Sequence, residues 1–239
     1  MNIVIPMAGN GTRTQDLSII PKPLIEIKEK SLIEWAVSSL NIPGQYIFIT
    51  RKYEVEQWNI KLNEILNHIT INPIIIQIDY VTDGPACSAL LAKQFINNDT
   101  PLIIANSDQM LEWNSNDFLE SLSQNIDGLV TTWDKIANTE SFIELNENGH
   151  GIRLKEKEII SEHPLNGIHY WKKGEYFVKS AEEMIVQNKR SLNGEFYISE
   201  SYNILIEKGY IITTYKMGKG QHIPLGTTKD IESYLNKII

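Results

Sequence analysis

Between residues 2 and 105, short apolar runs rich in β-branched residues alternate with longer stretches of helical periodicity, and that alternation constrains the fold more than any other feature. Residues 2–6 (NIVIP), 45–50 (QYIFIT), 73–81 (PIIIQIDYV) and 101–105 (PLIIA) read as strands. Residues 31–40, 54–69 and 86–95 carry apolar positions at helical spacing. The first of these opens on Ser31 with Glu34 three residues later, a capping-box start. Strand, helix, strand at this spacing predicts βαβ units and a parallel sheet. In such sheets ligands gather beyond the carboxyl ends of the strands.

After residue 125 the texture changes. Residues 128–133, 159–160, 167–171 and 210–216 read as further strands. Residues 142–154 read as a hairpin turning at Asn146-Glu147-Asn148-Gly149. Helices are expected over 175–188 and 197–208, with a last one from Asp230. No linker or repeat interrupts the 239 residues. The expectation is one α/β domain, 1–239, built on a parallel sheet that the later strands, hairpin and helices complete. Trp35 and Trp58 fall on helical apolar stripes and are expected in the core, Cys87 reads as a small packing residue, and His68, His150 and His163 read as surface or turn residues.

Charge narrows the partners. The chain has 22 Lys+Arg against 30 Asp+Glu, a net charge of −8. Nucleic-acid and membrane-surface binders need a basic footprint that this chain lacks. An anionic ligand must be held by a few local cations and backbone amides. With one cysteine, no internal disulfide or cysteine-based metal site can form. The N-terminus lacks a signal-peptide pattern and no apolar run is long enough to span a membrane, so a cytoplasmic location is expected.

The loop after the first strand, Ala8-Gly9-Asn10-Gly11-Thr12-Arg13, combines two glycines with a permanently charged guanidinium. Such a loop can curl so that its amides face a phosphate chain, while the arginine forks onto phosphate oxygens. Close behind, Pro21-Lys22-Pro23 fixes a lysine between two prolines. The strand over 101–105 ends at Asn106-Ser107-Asp108, placing a carboxylate at the sheet's carboxyl edge.

A first strand ending Ala-x-Gly-x-Gly-x-Arg, followed by Pro-Lys-Pro, resembles the signature of the nucleoside-diphosphate-sugar pyrophosphorylases, also called sugar-phosphate nucleotidyltransferases. The resemblance runs over nearly the whole chain: Glu156-Lys157, Asn166-Gly167-Ile168-His169-Tyr170, Gly194-Glu195-Phe196-Tyr197 and Leu225-Gly226-Thr227 are similar to later family elements. It implies a Rossmann-like α/β fold with a mixed, mainly parallel sheet flanked by helices, the GT-A-like fold of nucleotide-diphospho-sugar transferases, with a nucleotide-binding part (1–125) and an acceptor-binding part (126–239). It also implies a reaction, NTP plus sugar 1-phosphate giving NDP-sugar and pyrophosphate. On that resemblance Arg13 holds the leaving phosphates, Lys22 bridges the α-phosphate and the attacking phosphate, and Asp108 holds Mg²⁺ (or Mn²⁺). Ala8, Gly9, Asn10, Gly11, Thr12, Arg13, Asp79 and Gly84 serve the nucleotide. Lys22, Glu156, Lys157, Asn166, Gly167, Glu195 and Thr227 serve the acceptor. The wording PMAGNGTR, SDQ and GEFYIS looks most like a branch found with capsule and surface-polysaccharide genes.

Two positions depart from the pattern. Many relatives carry a second metal-binding aspartate as Asp-x-Gly-Thr, where this chain has Pro224-Leu225-Gly226-Thr227. One carboxylate then suffices, His222 or Asp230 substitutes, or activity is reduced. Five residues before Gly84, where pyrimidine-reading relatives have glutamine, stands Asp79. An ionised carboxylate only accepts hydrogen bonds, which suits the amino or imino edge of cytosine or guanine and implies CTP or GTP. Two other readings keep the fold: a glycosyltransferase, which the missing Asp-x-Asp triplet disfavours, and a non-catalytic nucleotide- or sugar-binding module, which Pro224 favours.

Overall fold

The computed structural model describes residues 1–9, 20–123, 125–137 and 139–236. Among these the elements run β1 (Asn2–Pro6), a 3-10 turn (Lys22–Leu24), β2 (Glu26–Ile27), β3 (Lys30–Ser31), α1 (Leu32–Leu40), β4 (Gln45–Arg51), α2 (Glu56–Ile69), β5 (Ile74–Ile78), α3 (Pro85–Leu90), α4 (Lys93–Ile96) and β6 (Leu102–Ala105). They continue with β7 (Gln109–Leu111), α5 (Ser115–Ser121), β8 (Gly128–Thr132), β9 (Ser141–Leu145), β10 (Gly151–Glu156), β11 (Leu165–Trp171), α6 (Gly174–Val186), α7 (Ser201–Glu207), β12 (Ile212–Lys216), β13 (His222–Pro224) and α8 (Thr228–Asn236).

Seven strands form the central sheet in the order β12-β8-β11-β6-β1-β4-β5. All neighbouring pairs are parallel except those of β11, which runs antiparallel to both β6 and β8. The parallel pairs are as the residue pattern requires, the mixed sheet is as the resemblance implies, and strands from both halves of the chain share it. Alternation along each strand feeds two cores. Val4, Ile47, Ile49, Leu102 and Ile104 face one layer, and Ile3, Ile5, Phe48, Ile103 and Ala105 face the other. Each of these side chains except Ala105, taken out of water, contributes roughly 1.5–3 kcal/mol. Glu34 accepts from both the backbone N and the hydroxyl of Ser31, so α1 starts with the expected box.

Chain order places the site. From β1 the chain steps outward to β4 and β5, then returns to β6 on the other side of β1. The reversal lies between β1 and β6, where loops leaving the carboxyl ends diverge and open a crevice. Because β11 is antiparallel, its amino end, Leu165-Asn166-Gly167, arrives at this same edge.

Several expected boundaries change. Residues 86–95 are not one helix: Leu91 and Ala92 donate to Ser88 and Ala89 three residues back, and the tightened turn separates α3 from α4. The helix expected from Tyr197 begins at Ser201, after a turn in which Ser201 and Tyr202 donate to Ile198 and Ser199. Ile159 and Ile160 form no strand; Ile159 is exposed, and two β-branched residues without a partner strand stay irregular. Trp35 and Trp58 are half-buried rather than core. Trp35 Nε1 donates to the Ile27 carbonyl, and Trp58 meets Tyr53 edge-on at the cleft. Cys87 is half-buried and packs against the first core. No helix among the described residues is long and apolar enough to cross a membrane.

Candidate active site

A cleft of about 1570 Å³ lies over the carboxyl edge of the sheet. Ala8 and Gly9 line it where β1 ends; Asn10, Gly11, Thr12 and Arg13 lie outside the described residues. The prolines around Lys22 set a 3-10 turn whose lysine crosses to the far side of the crevice. Lys22 Nζ donates to Asp108 Oδ2 at 2.5 Å and to the Gly226 carbonyl at 2.9 Å. Three segments 86 and 204 residues apart thus converge on one ammonium. A short ribbon makes this possible, since β13 pairs antiparallel with β7 and Leu225 N then donates to the Asp108 carbonyl.

Pro224 sits inside that ribbon, opposite Gln109. Two carboxylates nevertheless flank the position of Gly226, where a Cβ would lie 3.2 Å from Asp108 Oδ2 and 4.0 Å from Asp230 Oδ2. Asp230 Oδ2 also accepts from Thr227 N and Oγ1, and Thr227 Oγ1 accepts from Asp230 N, a capping box that opens α8. Among the described residues no group of three or more His, Cys, Asp or Glu is arranged to hold a metal. The donor set suits Mg²⁺ nonetheless, because that ion takes one or two carboxylates and completes its shell from phosphates and water. His222 meets Trp133 edge-on at 4.2 Å and its Nε2 lies 3.1 Å from Gln109 Oε1. Burial brings its basicity down to about 4, with Lys135 acting the same way and Asp108 and Asp230 opposing, so the ring is neutral at pH 7.

Gly84 and the Gly194–Tyr197 segment, distant in sequence, meet across the cleft. Phe196 N donates to the Asp83 carbonyl and Ala86 N to the Phe196 carbonyl. Gly84 has φ +124°, and a Cβ there would lie 2.6 Å from the Phe196 carbonyl oxygen, so only glycine fits. Asp79 is not brought to this wall. The strand ends at Ile78, Asp79 is exposed, and the segment reaches the cleft at Val81 and Thr82 instead. Counting back from the glycine missed this because the chain turns away between the two positions.

At the acceptor end, Glu156 is buried and accepts from the Ser141 hydroxyl. Burial pushes its carboxyl up to about 7, with Glu200 and Glu140 adding to the rise and Ser141 and Lys157 opposing it. Lys157 has φ +56°, an uncommon conformation for a side-chain-bearing residue. Its Nζ donates to the Tyr197 hydroxyl at 2.9 Å. That hydroxyl donates in turn to Glu195 at 2.7 Å. Asn166 lines the cleft but spends its side chain inward, accepting from Thr131 and donating to Met217 Sδ. Gly167, φ +82°, packs against Asn106, where a Cβ would fall 2.0 Å from Asn106 Nδ2. Cations Arg51, Lys135 and Lys157 join Lys22 in the lining and offset the chain's negative charge locally. Sequence reading missed Arg51 and Trp133 at strand ends, Ser141 at the start of β9 and Lys135 in the segment between β8 and β9, none of which has a local signature.

No family model matches the chain. It is 28% identical over 251 residues to the bifunctional protein GlmU of Methanococcus maripaludis, covering 100% of this chain and 56% of that protein. The chain spans about half the length of the curated relatives it matches. A crystal structure of the nucleoside-diphosphate-sugar pyrophosphorylase from Vibrio cholerae RC9 superposes with a TM-score of 0.83 at 24% identity, covering 98% of this chain and 99% of that one. The chain has the nucleotidyltransferase fold. The inositol-1-phosphate CTP transferase of T. maritima shares it, with a TM-score of 0.76 at 12% identity over 99% of this chain and 94% of that one. Homologues and structural neighbours are thus nucleotide-sugar pyrophosphorylases and related transferases.

Proposed function

We propose that the chain is a nucleotidyltransferase that joins an NTP to a sugar 1-phosphate. A phosphate oxygen of the acceptor attacks the α-phosphorus in line; the new O–P bond forms as the bond to the β-phosphate bridge breaks, and pyrophosphate leaves. The observation that carries this reading is Lys22, held between Asp108 and the Gly226 carbonyl at the switch point of the sheet. There the ammonium can bind both anions and screen the charge that builds up between them. Nucleotide binding falls to the 1–125 part, including Ala8 to Arg13 and Gly84, and acceptor binding to the 126–239 part, including Glu156, Lys157, Asn166, Gly167, Glu195 and Thr227. Asp108, with Asp230 across Gly226, would hold Mg²⁺ or Mn²⁺, which when bound neutralises triphosphate charge.

A CTP or GTP preference through Asp79 has no support from the cleft wall, which Val81 and Thr82 form on that side. We read the product as a cytoplasmic precursor for capsule or surface glycan on the strength of the loop wording alone. Pyrophosphate release tests the reaction, using the four common NTPs against a panel of sugar 1-phosphates with Mg²⁺. Release that needs both substrates is the expected result. Nucleotide or acceptor binding without release across the panel would leave a binding module instead, and sugar transfer from an NDP-sugar would point to a glycosyltransferase.

A further inference from the structure

The open central sheet has two edges, β12 and β5, and they are finished differently. An edge strand presents a row of backbone N–H and C=O groups that invites a further strand, and proteins blunt it with charge, proline, a bulge or a cover. At the β12 edge the β9–β10 hairpin lies alongside, Thr213 Oγ1 donating to the Gly149 carbonyl at 3.2 Å, and the strand ends on Lys216. Strand β5 has none of these devices. Its residues, Ile74-Ile75-Ile76-Gln77-Ile78, include no charge and no proline, and its register with β4 runs without a bulge. The Ile78 carbonyl accepts from Lys52 N, just past β4. Because peptide groups alternate along a strand, Ile74 and Ile76 also turn theirs toward β4, while Ile75 and Gln77 turn theirs outward. Among the described residues nothing bonds those outward groups.

The side chains point the same way. Ile74, Ile75 and Ile76 are only half-buried. Ile71, before the strand, is 87% exposed, and Tyr80, after it, 52%. Residues 71–78 carry no charge in a chain whose net charge is −8, so two copies can approach here with little repulsion. The strand is also complementary to itself. In an antiparallel pair with its two-fold axis at Ile76, Ile75 of each copy lies opposite Gln77 of the other. These are the residues with outward groups, and each such pair exchanges both N–H···O bonds. Ile74 of each copy then faces Ile78 of the other, the two Ile76 side chains meet on the axis, and Ile71 of one lies toward Tyr80 of the other.

We propose that β5 is the docking edge for a second copy of this chain, joining two central sheets into one across a two-fold axis at Ile76. The same patch serves both copies, so the contact closes at two. Two five-residue strands make an interface smaller than the ~1,600 Å² of a standard one, so the dimer forms with rising concentration rather than permanently. The association does not depend on the nucleotidyltransferase reading.

Analytical ultracentrifugation of the chain alone, from about 1 µM to about 1 mM, reads the association. The mass should rise from that of one chain to that of two and stop there. Ile76→Lys and Ile76→Glu each set like charges opposite one another on the axis, so each should dimerise at least about tenfold more weakly. Mixed in equal amounts, the two variants should pair with each other, which misfolded chains could not do; circular dichroism checks their fold. A second measurement puts no charge in the strand. Directly opposed residues of a non-hydrogen-bonded antiparallel pair lie about 4.5 Å apart between Cα atoms, within reach of a disulfide. Ile76→Cys should therefore crosslink to itself on oxidation. Tyr80→Cys, exposed but off the axis, should crosslink no more than the parent, whose one cysteine is Cys87. The inference is overturned by a parent that stays single throughout, by assembly past two copies, or by charged variants that pair as the parent does. Folded charged variants that fail to pair when mixed, or Ile76→Cys crosslinking no better than Tyr80→Cys, overturn it equally. Should the charged variants not fold, the parent's mass and the crosslinking decide.

Discussion

The Lys22 ammonium lies 2.5 Å from Asp108 Oδ2, although the two residues are 86 positions apart and leave the sheet from different strands. Both side chains are largely shielded, at 15% and 19% exposure. The pair can therefore hold a fixed geometry at the point where nucleotide and acceptor phosphates would meet.

Lys22→Ala is expected to lower kcat by about 10²–10³, the range for losing one preorganised charge-stabilising donor. The fold should persist, because Lys22 lines the cleft and belongs to neither hydrophobic core. Steady-state pyrophosphate release and a thermal melt check the two halves, and a near-parental rate would remove Lys22 from the mechanism. Arg13→Ala is expected to behave alike in rate.

Asp108→Asn should abolish most turnover and weaken Mg²⁺ or Mn²⁺ dependence, since a neutral amide is a poor ligand for a hard cation. Asp230→Asn should raise the metal concentration needed for half-maximal rate if the second carboxylate across Gly226 serves in place of the aspartate that Pro224 displaces. Rates measured across a metal titration decide both.

Gly167→Ala should destabilise the protein by at least ~2 kcal/mol, because a positive φ and a contact at 2.0 Å from Asn106 Nδ2 oppose it together. Combining it with Asn106→Ala should recover the contact part and leave the backbone part. Urea unfolding of the single and double variants separates the two.

Glu156 makes stability fall as pH rises. Its folded carboxyl titrates near 7 chiefly because it is buried. The unfolded one titrates near ~4.3. Below the unfolded value both states are protonated and the contribution is whole. Between the two values only the unfolded chain ionises, so stability is lost as pH climbs toward 7 and levels off above. The loss should be on the order of 2–4 kcal/mol, and Glu156→Gln should flatten the curve in that window. Chemical unfolding at half-unit pH steps shows it.

Asp79→Gln should leave the ranking of the four NTPs unchanged, because Asp79 is exposed and does not line the cleft. A shift of tenfold or more toward UTP would restore Asp79 as a base-reading residue.

The sequence by itself determined the elements whose signals are local. The β-branched runs of β1, β4, β5 and β6 alternate into two cores, Ser31 and Glu34 start α1, and Asn146 to Gly149 turns the β9–β10 hairpin. The Ala8–Gly9 loop end, Lys22 and Asp108 were legible as unusual residues in a strand-end context, Gly84 and Glu156 only through the family resemblance, and all of them line the cleft. Tertiary structure decided the rest, through pairings that no local window contains. Strands β7 and β13 have only three residues each, too short for any periodicity, yet their pairing is what carries Gly226 to Asp108 and Lys22. The antiparallel insertion of β11 between β6 and β8 likewise depends on partners more than 30 residues away, and it brings Asn166 and Gly167 to the cleft. Asp79 is exposed and outside the cleft lining for the converse reason: spacing from Gly84 counts residues, whereas reach into the cleft depends on where the chain bends.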